Sequence, residues 1–261
     1  MKIIIVTQNA PVYLAEFLDN FLQKINGQSS YKISGVVLLK PFFKESILLD
    51  ILDRFRLYGM KDFLKMLFII VSNKFSSIFS YRSTYCYSIE NFLKKYEIKV
   101  LPFEEVNSKA LVDFIKLNNI DLIISIASPK IFKETILSAP NNGCINYHTS
   151  LLPRYRGRQP LFWALCNNEK KTGITIHEMD SKLDNGPIVY QKSFDILATD
   201  SLHDLYMKSI QVGADALFES LEIIKDGKLE RQENNIEHAS YFGFPKKEDA
   251  IIFRNNHKKF F

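Results

Sequence analysis

Short, β-branched apolar runs alternate with segments of helical spacing along most of this 261-residue chain. No other feature narrows the choice of fold as much. Residues 3–6, Ile-Ile-Ile-Val, end at the polar Thr7-Gln8-Asn9, which predicts a buried strand. Residues 11–25 place Leu14, Phe17, Leu18, Phe21, Leu22 and Ile25 on one helical face. Further strands are predicted at 33–39, 98–101, 121–126, 144–147, 172–178 and 187–194, and further helices at 89–96, 111–117 and 202–224. Strands separated by helices pair in parallel and are covered on both faces. The prediction is therefore an α/β fold, a Rossmann-like, mostly parallel sheet flanked by helices. Such sheets place their ligands beyond the carboxyl ends of the strands.

Residues 41–86 break the alternation. Residues 45–56 and 61–77 both read as helices, with Gly59 between them. Leu48, Leu49, Leu52 and Phe55 on the first, and Phe63, Leu67, Ile70 and Val71 on the second, define apolar faces. This inserted pair is expected to pack on the outside of the sheet, with Arg54, Arg56, Lys61 and Lys65 toward solvent. The same faces also suit a homodimer interface. Contact with a membrane surface ranks below both, because charges interrupt the faces. The expected organisation is a main domain over 1–200 and a C-terminal helix with a small extension over 201–261, read as a short tail from Lys228 onward.

The net charge of +5 is spread along the chain and does not by itself argue for nucleic acid. Three cysteines, Cys86, Cys144 and Cys166, show no paired or metal-like spacing and suit a reducing compartment. The apolar start is too short for a signal peptide, and residues 63–71 are too short to span a membrane. A cytoplasmic protein without membrane insertion is expected. No GxGxxG or P-loop glycine pattern is present.

The chemistry concentrates in Gly143-Cys-Ile-Asn-Tyr-His-Thr-Ser-Leu-Leu-Pro-Arg-Tyr-Arg-Gly157 and in Met179-Asp-Ser-Lys-Leu-Asp-Asn-Gly-Pro-Ile188. Asn146 and His148 lie two residues apart at the end of a predicted strand, so both project to one face. Taken singly, His148 reads as a satisfied structural histidine, Asn146 as a cap or turn residue, and Asp184 as a turn residue before Asn185-Gly186. His177 alternates within a strand and reads as structural. Arg154, Arg156 and Arg158 form either a solvated basic turn or a phosphate-facing set. Phe162 and Trp163 read as core. His203, His238 and His257 have no partners at metal spacing, and no metal is expected.

Jointly, Asn146-x-His148, Ser150-Leu-Leu-Pro153, Arg156-Gly157 and Leu183-Asp-x-Gly186 resemble the folate-dependent formyltransferases. That group contains methionyl-tRNA formyltransferase, glycinamide ribonucleotide formyltransferase and the sugar N-formyltransferases. The resemblance is best from Asp121 to Gln191. It implies a catalytic domain over 1–200 and an enzyme that moves a formyl group from N10-formyltetrahydrofolate to a primary amine. By residue-to-residue matching it implies Asn146, His148 and Asp184 as the catalytic triplet. Ser128, Lys130 and Ile131 match the loop whose backbone pairs with the pterin. Met179 and Asp180 match positions beside it, and Leu151, within Ser150-Leu-Leu-Pro153, matches the pocket wall.

Three acceptors fit the resemblance. Asp184-Asn-Gly-Pro-Ile188 is similar to the glycinamide ribonucleotide enzyme, but Thr7-Gln-Asn-Ala-Pro11 lacks that enzyme's phosphate loop. Ser150-Leu-Leu-Pro-Arg-Tyr-Arg-Gly157 is similar to the methionyl-tRNA enzyme, whose C-terminal barrel is not expected within residues 185–261. A small-molecule acceptor, a nucleotide-linked amino sugar rather than a nucleic acid, is favoured. A formyltetrahydrofolate hydrolase and a non-catalytic folate-binding relative are the alternatives.

Overall fold

The computed structural model describes residues 1–10, 13–41, 47–79 and 89–261. Its elements run β1 (Lys2–Gln8), α1 (Leu14–Ile25), β2 (Lys32–Leu39), α2 (Ile47–Phe79), α3 (Ile89–Lys95), β3 (Val100–Leu101), α4 (Lys109–Leu117), β4 (Leu122–Ile126) and α5 (Glu134–Leu137). They continue with β5 (Cys144–His148), β6 (Arg156–Gly157), α6 (Pro160–Cys166), β7 (Lys171–Glu178), β8 (Ile188–Asp195), α7 (Leu202–Lys225), β9 (Tyr241–Phe242) and α8 (Lys247–Asn255).

Seven strands form one sheet in the order β3-β2-β1-β4-β5-β7-β8. The first five are parallel, and β7 and β8 add an antiparallel edge. The chain winds outward from β1 to β3 and then returns to β4 on the other side of β1. Winding therefore reverses between β1 and β4, which opens a crevice at the carboxyl ends. Side chains alternate between the two faces of β1. Ile3 and Ile5 join a core with α1 and α7, while Ile4 and Val6 join a second core with Leu111 and Ile115 of α4. Each fully buried side chain of this kind contributes roughly 1.5–3 kcal/mol.

Ala214, Leu217 and Leu221 of α7, the long helix the sequence predicts, complete the first core. The segment from Lys228 onward is not a tail. Strand β9 pairs in parallel with β6, and Phe253 of α8 stacks on Phe162 of α6 with ring centroids 4.9 Å apart. Single aromatic anchors spaced far apart carry these contacts. They leave no periodicity for sequence reading to detect.

Helix α2 departs from expectation in what it packs against. It breaks at Gly59 (φ 72°), as the sequence predicts. Arg254 of α8 donates to the Leu57 carbonyl at 2.7 Å and ends the first half. Leu57 is buried among α6, α8 and Phe260, and Tyr58 packs on Phe260 and Phe261. The end of the first half thus packs on the C-terminal segment. Leu52, Leu67 and Val71, expected to be buried, are 46%, 39% and 62% exposed, and Met60, Leu64 and Phe68 share that exposure. Leu48 and Leu49 lie outside the residues whose side chains are described, and residues 11, 12, 42–46 and 80–88 lie outside the described ones altogether.

Two classes of substitution should separate here. Leu64→Ser and Phe68→Ser should each leave Tm within about 2 °C of the parent, since exposed positions cost under about 0.5 kcal/mol. Leu57→Ala should lower Tm by roughly 5–15 °C, the scale of a core truncation. Thermal unfolding of the three variants checks both expectations. Among the described residues no helix is long and apolar enough to cross a membrane.

Candidate active site

Strand β5 carries Asn146 and His148 on one face at its carboxyl end. The neighbouring antiparallel strand β7 places His177 opposite Asn146 and Thr175 opposite His148. Residues facing each other across two strands share a side, so four polar groups meet there. The intervening Ile145, Ile174 and Ile176 point into the first core. Thr175 locks the turn that follows β5. Its hydroxyl donates to the Ser150 carbonyl at 2.6 Å and accepts from the Leu152 amide at 3.1 Å.

Asp184 enters from the loop between β7 and β8. It is 7% exposed and has φ 47°. A non-glycine residue in the left-handed region costs about 1–2 kcal/mol and persists only where surrounding contacts hold it. The Gly157 amide donates to Oδ2 at 2.8 Å. Oδ2 stands 3.7 Å from His148 Nδ1, and Oδ1 stands 3.7 Å from His177 Nε2 and 3.5 Å from Asn146 Nδ2.

The hydrogen bonds define the tautomers. His148 Nε2 lies 2.9 Å from the Tyr155 carbonyl, which only accepts, so Nε2 carries the proton and Nδ1 is the basic nitrogen. His177 Nδ1 donates to the Glu178 carbonyl at 2.8 Å. Its bare Nε2 accepts from Asn146 Nδ2 at 3.2 Å. That contact orients the amide, whose other N–H donates to Asp184 Oδ1 at the long distance of 3.5 Å.

Burial holds the His148 imidazole below its usual range, and the Asp184 carboxylate only partly opposes this. Burial would raise Asp184, but His148, His177 and the Gly157 amide together outweigh it and hold the carboxyl at about 2. Near neutral pH the pair is therefore a neutral imidazole beside a carboxylate. A proton taken at Nδ1 creates an imidazolium that Asp184 stabilises.

The sign of the pH dependence follows from these shifts. His148 takes its proton later in the fold than in the unfolded chain. Its contribution to stability is present above the unfolded value near 6.5 and declines as pH falls below it. Asp184 likewise contributes above the unfolded value near 3.8, and that contribution is lost as pH falls toward about 2. Tm should fall on acidification from pH 7 to 5, and His148→Gln should flatten that part of the curve. An equal slope in parent and variant would remove His148 as the cause.

The remaining predicted positions distribute unevenly. Ser128, Lys130 and Ile131 follow β4, the strand next to β5; the Ser128 hydroxyl turns back on the Lys130 backbone at 3.3 Å. Met179 packs against the cluster containing Phe132 and Cys144. Asp180 accepts from the Lys182 amide at 2.9 Å and from Asn185 Nδ2 at 2.6 Å. Leu151 packs at Gly173 on β7, six residues before Met179, and so stands roughly 20 Å along the strand from Met179. It is not brought beside Met179 and Asp180. Ile131 and Leu183 are 66% and 46% exposed. Apolar surface open on these two loops suits a flat aromatic ring. Among the described residues no group of three or more His, Cys, Asp or Glu is arranged to hold a metal ion.

Two sequence readings change. His177, read as structural, belongs to the cluster, and only the β5–β7 register places it opposite Asn146. Arg156, read as solvated or phosphate-facing, is buried and donates to Asn185 Oδ1 at 3.0 Å and to Asn234 Oδ1 at 2.9 Å. Arg154 instead pairs with Glu169 at the surface.

Residues 87–221 match the family model described as formyl transferase. The chain belongs to that family, with the α/β formyltransferase fold. It is 37% identical over 159 residues to the methionyl-tRNA formyltransferase of Thermotoga maritima, covering 61% of this chain and 51% of that protein. The chain thus spans about half the length of the curated relatives it matches. Among solved structures it is similar to WlaRD, a sugar 3N-formyl transferase studied with dTDP and 5-N-formyl-THF (TM-score 0.60, 21% identity, 93% of this chain and 69% of that one). It is also similar to glycinamide ribonucleotide transformylase 1 of Symbiobacterium toebii (TM-score 0.62, 16% identity, 90% and 92%).

Proposed function

We propose that this chain transfers the formyl group of N10-formyltetrahydrofolate to the primary amine of a nucleotide-linked amino sugar. The observation that carries the reading is the convergence of Asn146, His148 and Asp184, from two separate segments, in one buried cluster at the carboxyl end of β5. Bound formyl-folate supplies the activated formyl carbon. The loops at 128–131 and 179–184 would hold its ring. The Asn146 N–H that donates to Asp184 Oδ1 at 3.5 Å turns to the formyl oxygen, where charge develops as the amine attacks. His148 Nδ1 accepts the proton of the attacking amine and returns it to the departing nitrogen. Asp184 stabilises the imidazolium between those events.

The amino-sugar acceptor is supported by the fold shared with a sugar N-formyltransferase over 93% of this chain. A second reading, methionyl-tRNA as acceptor, is supported by the 37% identity to an enzyme of that name. Release of the deformylated folate, measured with a panel of acceptors, decides between them. The panel comprises nucleotide-linked amino sugars, glycinamide ribonucleotide, charged initiator tRNA and no amine. Release with an amino sugar alone is expected. Efficient formylation of the tRNA would replace the acceptor, and release without any amine would indicate hydrolysis.

A further inference from the structure

Residues 231–242 lie beyond the family-matched region, yet they touch both the turn at 155–158 that follows β5 and the loop that carries Asp184. Gln232 exchanges two backbone hydrogen bonds of 2.9 Å with Ile188, at the entry of β8. Arg231 grips Glu178 at the end of β7 through two 2.9 Å contacts. Further on, the Ser240 carbonyl accepts the Arg156 amide at 2.8 Å, the Ser240 hydroxyl accepts the Tyr155 amide at 2.9 Å, and the Phe242 carbonyl accepts the Arg158 amide at 2.9 Å. The segment is a strap joining the turn that carries Tyr155 and Gly157 to the turn that carries Asp184.

Asn234 is the knot in that strap. It is 7% exposed. Its amide nitrogen donates to the carbonyls of both Asp184 and Gly186 at 3.0 Å, and its side-chain oxygen accepts from Arg156 at 2.9 Å. Three of the four hydrogen bonds a carboxamide can make are used. One of the two donated bonds ends on the carbonyl of Asp184, the residue with φ 47°, and the other on the carbonyl two residues further on. Arg156 closes the ring by donating to Asn185 between them.

We infer that Asn234 is a positioning residue: it holds Asp184 in the left-handed conformation that aims its carboxylate at His148 and Asn146. The effect on turnover rests on the proposed formyl transfer; the effect on geometry does not. The Gly157 amide, which donates to Asp184 Oδ2 at 2.8 Å, reports that geometry directly. Loss of Asn234 frees the 184–186 turn to relax, so the carboxylate leaves the Gly157 amide.

The test uses the full chain with Asn234→Ala and Asn234→Asp. The aspartate keeps the volume and the Arg156 contact but removes both donors, so it separates positioning from packing if the alanine variant folds poorly. Both should lower kcat at least tenfold with KM for formyl-folate and acceptor within threefold. In both, the Gly157 amide proton should move upfield in the NMR spectrum, toward its position in Asp184→Ala. Parent-like kcat per folded molecule together with an unmoved Gly157 amide would overturn the inference. If the parent formylates no acceptor, the proposed function fails, while the Gly157 amide still decides the role of Asn234.

Discussion

His148→Ala should lower turnover with the true acceptor at least about a hundredfold, the usual scale for losing a group that stabilises charge in the transition state. Asn146→Ala and Asp184→Ala should fall in the same range for different reasons. The first removes the amide aimed at the formyl oxygen, and the second leaves a protonated His148 without its counter-charge at 3.7 Å. The three act as a unit, so His148→Ala combined with Asp184→Ala should be little worse than either alone. All three variants should still fold. They leave one buried partner unpaired, a cost of about 1–3 kcal/mol, against cores built from Ile3–Val6, α1 and α7 that they do not touch. Single-turnover kinetics with circular dichroism measures both halves. Near-parent turnover in His148→Ala would sink the mechanism.

The second large effect is expected at Gly157. Its φ is +99°, and a Cβ there would overlap the carbonyl oxygen of Phe242 on the paired strand β9. Gly157→Ala therefore meets a strained backbone and a steric clash together, with roughly 2–4 kcal/mol lost and Tm lowered by about 5–15 °C. The same displacement pulls the Gly157 amide from Asp184, so kcat should drop in the molecules that remain folded. Gly243→Ala is the control. It lies in the same segment with open space around it and should change neither quantity. Equal Tm values for the two variants would refute the close approach of β6 and β9.

The sheet was legible because its strands are short, β-branched and bounded by polar or turn residues, and because i and i+2 on a strand share a side whatever the rest of the chain does. Those local rules yielded β1, β2, β4, β5, β7 and β8 within a residue or two, the break at Gly59, and the pairing of Asn146 with His148. The loop containing Asp184 was marked not by those rules, which make Asp184 a turn residue, but by the resemblance of the ordered motifs to the folate-dependent formyltransferases. What the local rules leave open is every contact between segments distant in sequence. Asp184 reaches His148 only because β7 turns antiparallel to β5. The same register brings His177 to Asn146. Asn234 reaches Asp184 across 50 positions through single hydrogen bonds, which leave no periodic trace. The exposed face of α2 lies on the same side of that divide. Helical spacing identifies an apolar face, but the neighbour that covers it, or leaves it bare, is a property of the packed chain.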